Sequence, residues 1–284
     1  MIAITGATGQ LGRLVINALL KKVPTSEIIA AVRSPEKAAD LQALGVTLRA
    51  ADYSQPETLQ SAFAGVDKLL LISSSEVGQR EVQHKAVIDA AKAAGVGFIA
   101  YTSLLHADTS PLGLGVEHRA TEAQLKASGI PFALLRNGWY TENYAASIAP
   151  ALAHHAFIGA VGEGRIASAA RVDYAAAAAE VISRDDQAGK VYELAGDDSY
   201  TLAQFSAEIA KQSGEQVDYI NLPQAEFAAA LKGAGLPEGL SEMLADSDAG
   251  AEKGGLFDES HTLSKLIGRP TTPYADVIKA ALQK

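Results

Sequence analysis

Three glycines near the N-terminus have the spacing of a phosphate-binding turn. The run Gly6-Ala7-Thr8-Gly9-Gln10-Leu11-Gly12 follows an apolar stretch at 2–5 and precedes apolar residues at helical spacing. Glycines let a diphosphate approach the main chain, and the N-terminus of the next helix offers free N–H groups and a positive dipole. The pattern therefore predicts a dinucleotide-binding turn, and a plain tight turn is the alternative.

The residue after the second strand distinguishes the two nicotinamide dinucleotides. Folds that prefer NAD place an acidic residue there, which accepts hydrogen bonds from the ribose hydroxyls. This sequence has Arg33 at that position. A guanidinium pairs with a phosphate dianion, which an aspartate would repel, so Arg33 favours NADPH over NADH. The alternative is that Arg33 is a solvated surface charge.

Two further groups of polar residues follow predicted strands at the same edge of the sheet. Serines at 73–75 close the fourth strand, where small side chains let a cofactor lie against the backbone; a helix-capping cluster is the alternative. Asn137, Trp139, Tyr140 and Asn143 follow the sixth strand. Two aromatic rings with amide groups suit a planar acceptor that carries two oxygens. The alternative is that Trp139 and Tyr140 only join two lobes.

Apolar runs that alternate with helical patterns predict an α/β fold with a doubly wound parallel sheet. Five helical patterns separate six strand patterns, which lie at 2–5, 28–32, 46–50, 68–72, 97–102 and 131–135. Strands this apolar need helices on both faces of the sheet, which requires parallel strands and right-handed crossovers. We therefore expect a Rossmann-type NADP-binding domain over residues 1–140.

The periodicity loosens after residue 140 and predicts a smaller C-terminal α+β lobe over residues 141–284, whose strands could return to the main sheet. Asp173 and Thr201 are the predicted N-caps of two of its helices. The other predicted elements are a helix at 145–154, an extended pair within 157–170, strands at 191–194 and 216–222, and helices from 224 and 274. The polar, glycine-rich stretch 246–258 fails the calcium-loop template and is interpreted as a loop or lid.

Composition and charge exclude several classes of protein. The 284 residues include 33 acidic and 24 basic side chains, a net charge of −9, so nucleic acid is not an expected partner. The absence of cysteine excludes disulfides and thiolate metal sites and suits the reducing cytoplasm. No apolar run reaches the roughly 18 residues that span a bilayer. We expect a cytoplasmic protein without metal or membrane contact, and its oligomeric state is left open.

Several features resemble the short-chain dehydrogenase/reductase superfamily: the glycine spacing, the alternation of strands and helices, and the phrase LRNG at 135–138. The resemblance implies a Tyr-x-x-x-Lys pair, whose phenol protonates the substrate carbonyl and whose lysine lowers the phenol's pKa. None of the nine tyrosines is followed by lysine at that distance. Glu122 matches a glutamate that often follows the lysine by four, which puts Leu114 and His118 at the tyrosine and lysine positions.

The missing proton donor favours one kind of acceptor. Hydride transfer to an ordinary ketone creates an alkoxide, and a positioned acid contributes roughly 10² to 10⁴ in rate. A quinone that accepts hydride becomes an aromatic phenolate, a weak base that water can protonate afterwards. Face-to-face placement of the two rings would then be sufficient.

Longer phrases narrow the resemblance. The chain is similar to the NmrA-like atypical branch, and within it to the bacterial NAD(P)H:quinone oxidoreductases of type 2, in TGATGQLG, LLLISSSEVGQR, YTSLLHADTSPLGL, LLRNGWYTENY and LIGRPTT. This resemblance implies direct reduction of small quinones by NADPH without flavin or metal. It also implies that the cofactor contacts are Gly6, Ala7, Thr8, Gly9, Gln10, Leu11, Arg33, Ser73, Ser74, Ser75, Asn137, Gly138, Trp139, Tyr140, Thr141, Glu142, Ala169, Ala170, Arg171, Val172, Asp173 and Tyr174.

His118, Asn137 and Tyr140 are the candidate catalytic residues. His118 takes the lysine's place and could orient the ribose or relay a proton; the alternative is a helix-surface histidine paired with Glu122. The expected function is an NADPH-dependent quinone reductase. An NmrA-like redox sensor that binds NADP(H) without turnover is the alternative, because the missing tyrosine and lysine fit it too. Reduction of an imine, an enone or a dye is a further hydride transfer that stays open.

Overall fold

The computed structural model describes residues 1–283, which form nine β-strands and thirteen α-helices. The strands are β1 (Ile2–Ile4), β2 (Ile28–Val32), β3 (Thr47–Ala50), β4 (Lys68–Leu71), β5 (Phe98–Leu104), β6 (Phe132–Asn137), β7 (Ala156–Gly159), β8 (Val191–Leu194) and β9 (Asp218–Asn221). Seven of them form one sheet in the order β3-β2-β1-β4-β5-β6-β8, and β7 pairs with β9 in a small parallel sheet.

The helices alternate with the strands through the first half of the chain and then follow one another more closely. They are α1 (Gln10–Leu19), α2 (Ala39–Ala43), α3 (Pro56–Ala62), α4 (Arg80–Ala93), α5 (Gly115–Ser128), α6 (Thr141–Ala145), α7 (Ile148–His154), α8 (Arg171–Ser183), α9 (Leu202–Ser213), α10 (Gln224–Gly233), α11 (Glu238–Glu252), α12 (Thr262–Ile267) and α13 (Tyr274–Leu282). Within residues 1–283, no helix is long and apolar enough to cross a membrane.

The main sheet is doubly wound, as predicted. The five neighbouring pairs from β3 to β6 are all parallel. The chain moves outward from β1 to β3, then returns to β4 beside β1 and moves outward in the other direction. The carboxyl ends of β1 and β4 therefore flank the point where strand order reverses, which is where such sheets bind ligands. All five residues of β2 are buried, as expected for a strand that helices cover on both faces.

The chain divides into two compact units. The first unit contains Met1–Leu104, Val116–Asn137 and Arg171–Tyr192, and the second contains Leu105–Gly115, Gly138–Ala170 and Glu193–Lys284. The chain passes from one unit to the other five times, so a single boundary at residue 140 does not describe the division. The C-terminal half does return a strand, β8, to the main sheet.

For the C-terminal half, one predicted helix cap is confirmed and two other predictions are wrong. Thr201 is confirmed as an N-cap, since its Oγ1 accepts the Gln204 N–H at 3.2 Å in a capping box. Asp173 is not a cap, because α8 begins two residues before it and buries its side chain. The interpretation of 246–258 as a loop or lid is wrong for its first half. There α11 continues to Glu252, because tertiary burial stabilises a helix that composition disfavours.

Aromatic side chains form the core of the second unit. Phe205 of α9 lies at the centre, with ring centroids of Tyr144, Phe157, Tyr200 and Tyr274 between 5.3 and 6.0 Å from its own. The predicted extended pair within 157–170 is reduced to β7 and isolated bridges. Packing of rings therefore holds this unit together where regular sheet is scarce.

Candidate functional site

The three glycines of the turn between β1 and α1 have different roles. Gly6 has a φ of +59°, a left-handed conformation that glycine adopts without strain. Gly12 packs so closely that a Cβ would lie 2.4 Å from the Gly6 carbonyl oxygen. Gly9 is the N-cap of α1 and offers no side-chain acceptor, so the N–H groups of the first turn stay available to an anion. The turn therefore fits a diphosphate.

A cleft with three cationic side chains lies beside this turn in the first unit. We call it the cationic cleft; its volume is about 660 Å³ and its lining residues are Thr8, Arg13, Arg33, Ser34, Lys37, Asp52 and Gln55. Arg33 follows β2 as predicted, and its side chain is 65% exposed. Sequence reasoning missed Arg13, which lies in α1, and Lys37, which lies in the turn after β2. Guanidinium and ammonium groups together suit a phosphate monoester.

Two of the three cations of this cleft also contact carboxylates. Arg13 Nη1 lies 3.1 Å from Asp40 Oδ2, and Arg33 Nη1 lies 3.0 Å from Glu76 Oε1. Each guanidinium carries five N–H donors, so one carboxylate partner leaves donors for a ligand. Asp52 accepts the N–H of Ser54 at 2.9 Å in its own turn. The carboxylates therefore hold the arginines in place without closing the cleft.

Side chains of other elements hold the main chain of two of the three predicted serines. The Ser73 N–H donates to Thr102 Oγ1 at 2.8 Å, and the Ser74 N–H donates to His84 Nε2 at 2.9 Å. The Ser74 carbonyl accepts a hydrogen bond from Arg80 Nε at 2.6 Å. The helix-capping alternative is wrong, since the residue before α4 is a glutamine. The serines instead follow β4 at the edge where the strand order reverses.

His84 is neutral, and its partners define its tautomer. Because the Ser74 N–H must donate, His84 Nε2 accepts and the proton sits on Nδ1, which lies 2.9 Å from Thr121 Oγ1. Thr121 Oγ1 donates in turn to the Glu117 carbonyl at 3.0 Å. Burial, helped by the Arg80 guanidinium, lowers the pKa of His84 to about 3. Sequence reasoning missed this residue, which carries no motif of its own.

His118 lies inside the first unit and contacts a buried tyrosine. It is 5% exposed, and its Nδ1 is 2.7 Å from Tyr101 Oη. Burial lowers the pKa of His118 well below its usual value, and the charge of Arg80 lowers it further. Burial raises the pKa of Tyr101. The pair therefore consists of a neutral imidazole and a protonated phenol.

Glu122 binds Arg136 rather than His118. Arg136 Nε and Nη2 donate to its two oxygens at 3.0 and 2.8 Å, and Ser103 Oγ donates at 2.6 Å. The alternative of a surface His118 paired with Glu122 is therefore wrong. The next residue, Asn137, is 6% exposed, and its Oδ1 has no hydrogen-bond partner within residues 1–283. A buried acceptor of this kind fits a ligand that brings an N–H or O–H donor.

The predicted cofactor stretches 138–142 and 169–170 lie side by side in the second unit. Tyr140 and Ala169 form a parallel bridge, and the Thr141 N–H donates to the Ala169 carbonyl at 3.0 Å. The structure thus brings together two stretches that are distant in sequence. Their roles toward a cofactor, and the catalytic role of Tyr140, stay predictions.

The last predicted stretch, 171–174, forms the first turn of α8 in the first unit. Asp173 and Tyr174 are fully buried, whereas Val172 is 45% exposed. Of the stretch, Arg171 and Val172 therefore offer the accessible side chains. Within the part of the chain that the structure describes, no group of three or more His, Asp or Glu side chains could hold a metal ion.

Known proteins resemble this chain over nearly its full length. The NmrA-like family matches residues 1–272. Quinone oxidoreductase 2 of Escherichia coli (strain K12) is 66% identical over 98% of this chain and 97% of its own. The crystal structure of the NADPH-dependent quinone oxidoreductase from E. coli complexed with NADPH has a TM-score of 0.97 at 66% identity, covering 99% of this chain and 100% of that one. The Citrobacter sp. triphenylmethane reductase complexed with NADP(H) has a TM-score of 0.94 at 40% identity, covering 99% and 100%. Because the family match extends over residues 1–272, the chain belongs to the NmrA-like family.

Proposed function

We propose that this chain transfers hydride directly from NADPH to quinones. The observation that carries the proposal is its 66% identity, over 98% of the chain, to quinone oxidoreductase 2 of E. coli. The geometry of the first unit supports the cofactor assignment, because a cationic cleft beside a glycine turn suits a dinucleotide with an additional phosphate.

The first unit supplies groups that would hold NADPH. The free N–H groups at the start of α1 would bind the diphosphate, and Arg13, Arg33 and Lys37 would bind the 2′-phosphate. His84 and Thr102 would keep the backbone of the serines rigid. When bound, NADPH supplies the hydride and is the only redox group, so neither flavin nor metal takes part.

The acceptor in this proposal needs no built-in acid. One hydride from NADPH and one proton from water convert the quinone to its hydroquinone, with NADP⁺ as the other product. The neutral imidazole of His118 and the phenol of Tyr101, whose pKa is raised, are poor proton donors. Asn137, with its unpartnered buried oxygen, and Tyr140 stay the candidates for orienting the rings. The proposed partner is therefore a small quinone, and the proposed location of the reaction is the cytoplasm.

The direct test is oxidation of NADPH by the purified protein with 1,4-benzoquinone, without flavin and with a metal chelator. We expect NADPH absorbance to decay well above the spontaneous rate, and NADPH to be used in preference to NADH. Addition of flavin should not change the rate.

Two outcomes would contradict the proposal. NADPH binding without quinone-dependent decay would favour the redox-sensor alternative. Reduction of a triphenylmethane dye but of no quinone would assign a different acceptor class, as in the Citrobacter reductase.

A further inference from the structure

The second unit contains an apolar cavity of about 480 Å³ that the proposed function does not use. Its walls come from five elements: Tyr144 of α6, Ala151 of α7, Phe157 of β7, Leu231 of α10 and Leu244 of α11. We call it the apolar cavity. Its size lies within the roughly 300–1,000 Å³ of pockets that take small organic molecules.

The apolar cavity includes residues already assigned to the substrate. Trp139 and Asn143 line it, and both belong to the segment after β6 where a planar acceptor is expected. Trp139 is only 7% exposed. The cavity therefore includes two residues of the segment that the sequence analysis assigned to a planar acceptor.

The acidic side chain in the cavity wall is fully engaged with the protein. Tyr144 Oη donates to Asp248 Oδ1 at 3.0 Å, and the Ala160 N–H donates to Asp248 Oδ2 at 2.9 Å. Burial raises the pKa of this carboxyl to about 6. Both carboxylate oxygens already accept hydrogen bonds, so the surface offered to an incoming molecule is chiefly hydrocarbon.

The volume of the cavity exceeds what a single quinone ring needs. A dry cavity of about 150 Å³ is enough to bind benzene. The apolar cavity is about three times that size. A bare benzoquinone would leave most of its wall uncovered, whereas a hydrocarbon chain attached to the ring would cover it.

We propose that the apolar cavity binds the hydrocarbon side chain of the quinone, so that the substrate class is quinones with an alkyl or prenyl tail. The inference rests on the proposed function. Each methylene that enters the cavity should raise kcat/KM about threefold to fourfold, which corresponds to about 0.8 kcal/mol.

The kinetic test compares 2-methyl- with 2-decyl-1,4-benzoquinone. The decyl-to-methyl ratio of kcat/KM should be large in the wild type and fall at least about tenfold in Ala230→Phe, which fills the cavity from α10. Ala229→Phe is the matched control, because Ala229 is the exposed neighbour on the same helix; its ratio should stay within about twofold of the wild type. Ala234→Phe is a second filling variant if the first does not fold.

A binding test avoids turnover altogether. Trp139 is the only tryptophan in the chain, so tryptophan fluorescence reports on this cavity. Titration with 2-decyl-1,4-dimethoxybenzene, which cannot accept hydride, should change that fluorescence at far lower concentration than 2-methyl-1,4-dimethoxybenzene. Ala230→Phe should weaken decyl binding at least about tenfold, and Ala229→Phe should not.

The outcomes separate the two proposals. Quinone turnover with no dependence on tail length, or with equal ratios in the wild type and the filling variants, overturns the tail site and leaves the reductase. Decyl binding without turnover of any quinone supports the hydrocarbon site and removes the reductase. No fluorescence response to the decyl compound removes the tail site whatever the activity.

Discussion

The cationic cleft and the apolar cavity are built in opposite ways. All residues that line the cleft lie between 8 and 55, close to the ends of β1, β2 and β3. The cavity takes its walls from 139–158 and 227–248, and two of its helices join it from far along the chain. A charged site can therefore be assembled where neighbouring parallel strands end, whereas an apolar cavity needs distant helices to pack around it.

The two units also contain buried titratable groups of opposite kinds. His84, which holds the serine backbone in the first unit, is neutral with a pKa of about 3. Asp248, in the wall of the cavity, has a pKa of about 6. Burial disfavours the charged form of both, yet the two groups respond to acid in opposite directions.

Gly12→Val should have the greatest effect, because it disturbs the glycine turn beside the cationic cleft. In Gly12→Val the new Cβ would lie 2.4 Å from the Gly6 carbonyl oxygen and 2.7 Å from Ala7 Cα, which forces α1 away from the turn. We expect stability to fall by about 1–3 kcal/mol and NADPH affinity to fall at least about 100-fold. Urea unfolding and NADPH fluorescence measure the two effects.

Gly239→Ala is the matched control for that variant. A Cβ at this position of α11 meets no atom within 4 Å. The change should leave NADPH affinity as in the wild type and add up to about 1 kcal/mol of stability. Wild-type affinity in Gly12→Val would remove the assignment of the glycine turn.

The charge of the cleft can be tested by reversal. Arg33→Asp should weaken NADPH binding about tenfold to a hundredfold, because charge-assisted hydrogen bonds to the phosphate are lost. NADH lacks that phosphate and should lose far less. The control is Arg184→Asp, a half-exposed arginine that also pairs with a glutamate but lies outside the cleft. Equal losses of NADPH and NADH affinity in the titrations would leave the phosphate role of Arg33 without support.

Acid should act on His84 and Asp248 in opposite senses. In the unfolded chain His84 is protonated below about pH 6.5, whereas in the folded chain it stays neutral down to about pH 3. The free energy of unfolding therefore falls as the pH drops from 6.5 to about 3. The folded chain protonates Asp248 near pH 6, before the unfolded chain does near 3.8, so stability rises as pH drops through that range.

Urea unfolding at pH 7 and pH 5 separates these contributions. Between pH 7 and pH 5, the free energy of unfolding of His84→Gln should fall by about 2 kcal/mol less than that of the wild type. That of Asp248→Asn should fall by about 1 kcal/mol more than that of the wild type. Equal changes in the free energy of unfolding of all three proteins would contradict the shifted pKa values of both groups.

His118→Ala should have the smallest effect on turnover. A neutral imidazole hydrogen-bonded to Tyr101 is a poor acid, and water can protonate the phenolate product. We expect kcat with benzoquinone to fall less than about tenfold, below the roughly 10² to 10⁴ that a general acid contributes. A fall of kcat to the background rate would show that His118 is the proton donor. The chain would then need a built-in acid, as ordinary ketone reductases do.

The sheet was predictable because each strand is an apolar run between turn and helix signals. The six predicted strands lie within two residues of β1 to β6. The helical pattern between the second and third strands forms only a short 3₁₀ turn followed by α2, because Pro35 favours a turn at that point. Later errors, such as the loop expected at 246–258, arose where polar and glycine residues are buried by partners remote in sequence.

The site was predictable only in its local parts. Gly6, Gly9 and Arg33 stand at strand ends, where the motif itself defines their place. Arg13 and Lys37 join the cleft from the following helix and turn, which no spacing rule specifies. His84 acts through a hydrogen bond to a residue ten positions earlier, and the alternating pattern of α4 marks it only as a polar residue on a buried face.

The order of strands and helices, the glycine turn and the sign of the charge after β2 follow from the amino-acid sequence, because each depends on residues adjacent in the chain. The neutral state of His84 and His118, the binding of Arg136 by Glu122 and the apolar cavity beside Trp139 follow only from the tertiary structure. Protonation states and cavities depend on burial, and burial depends on which distant segments pack together.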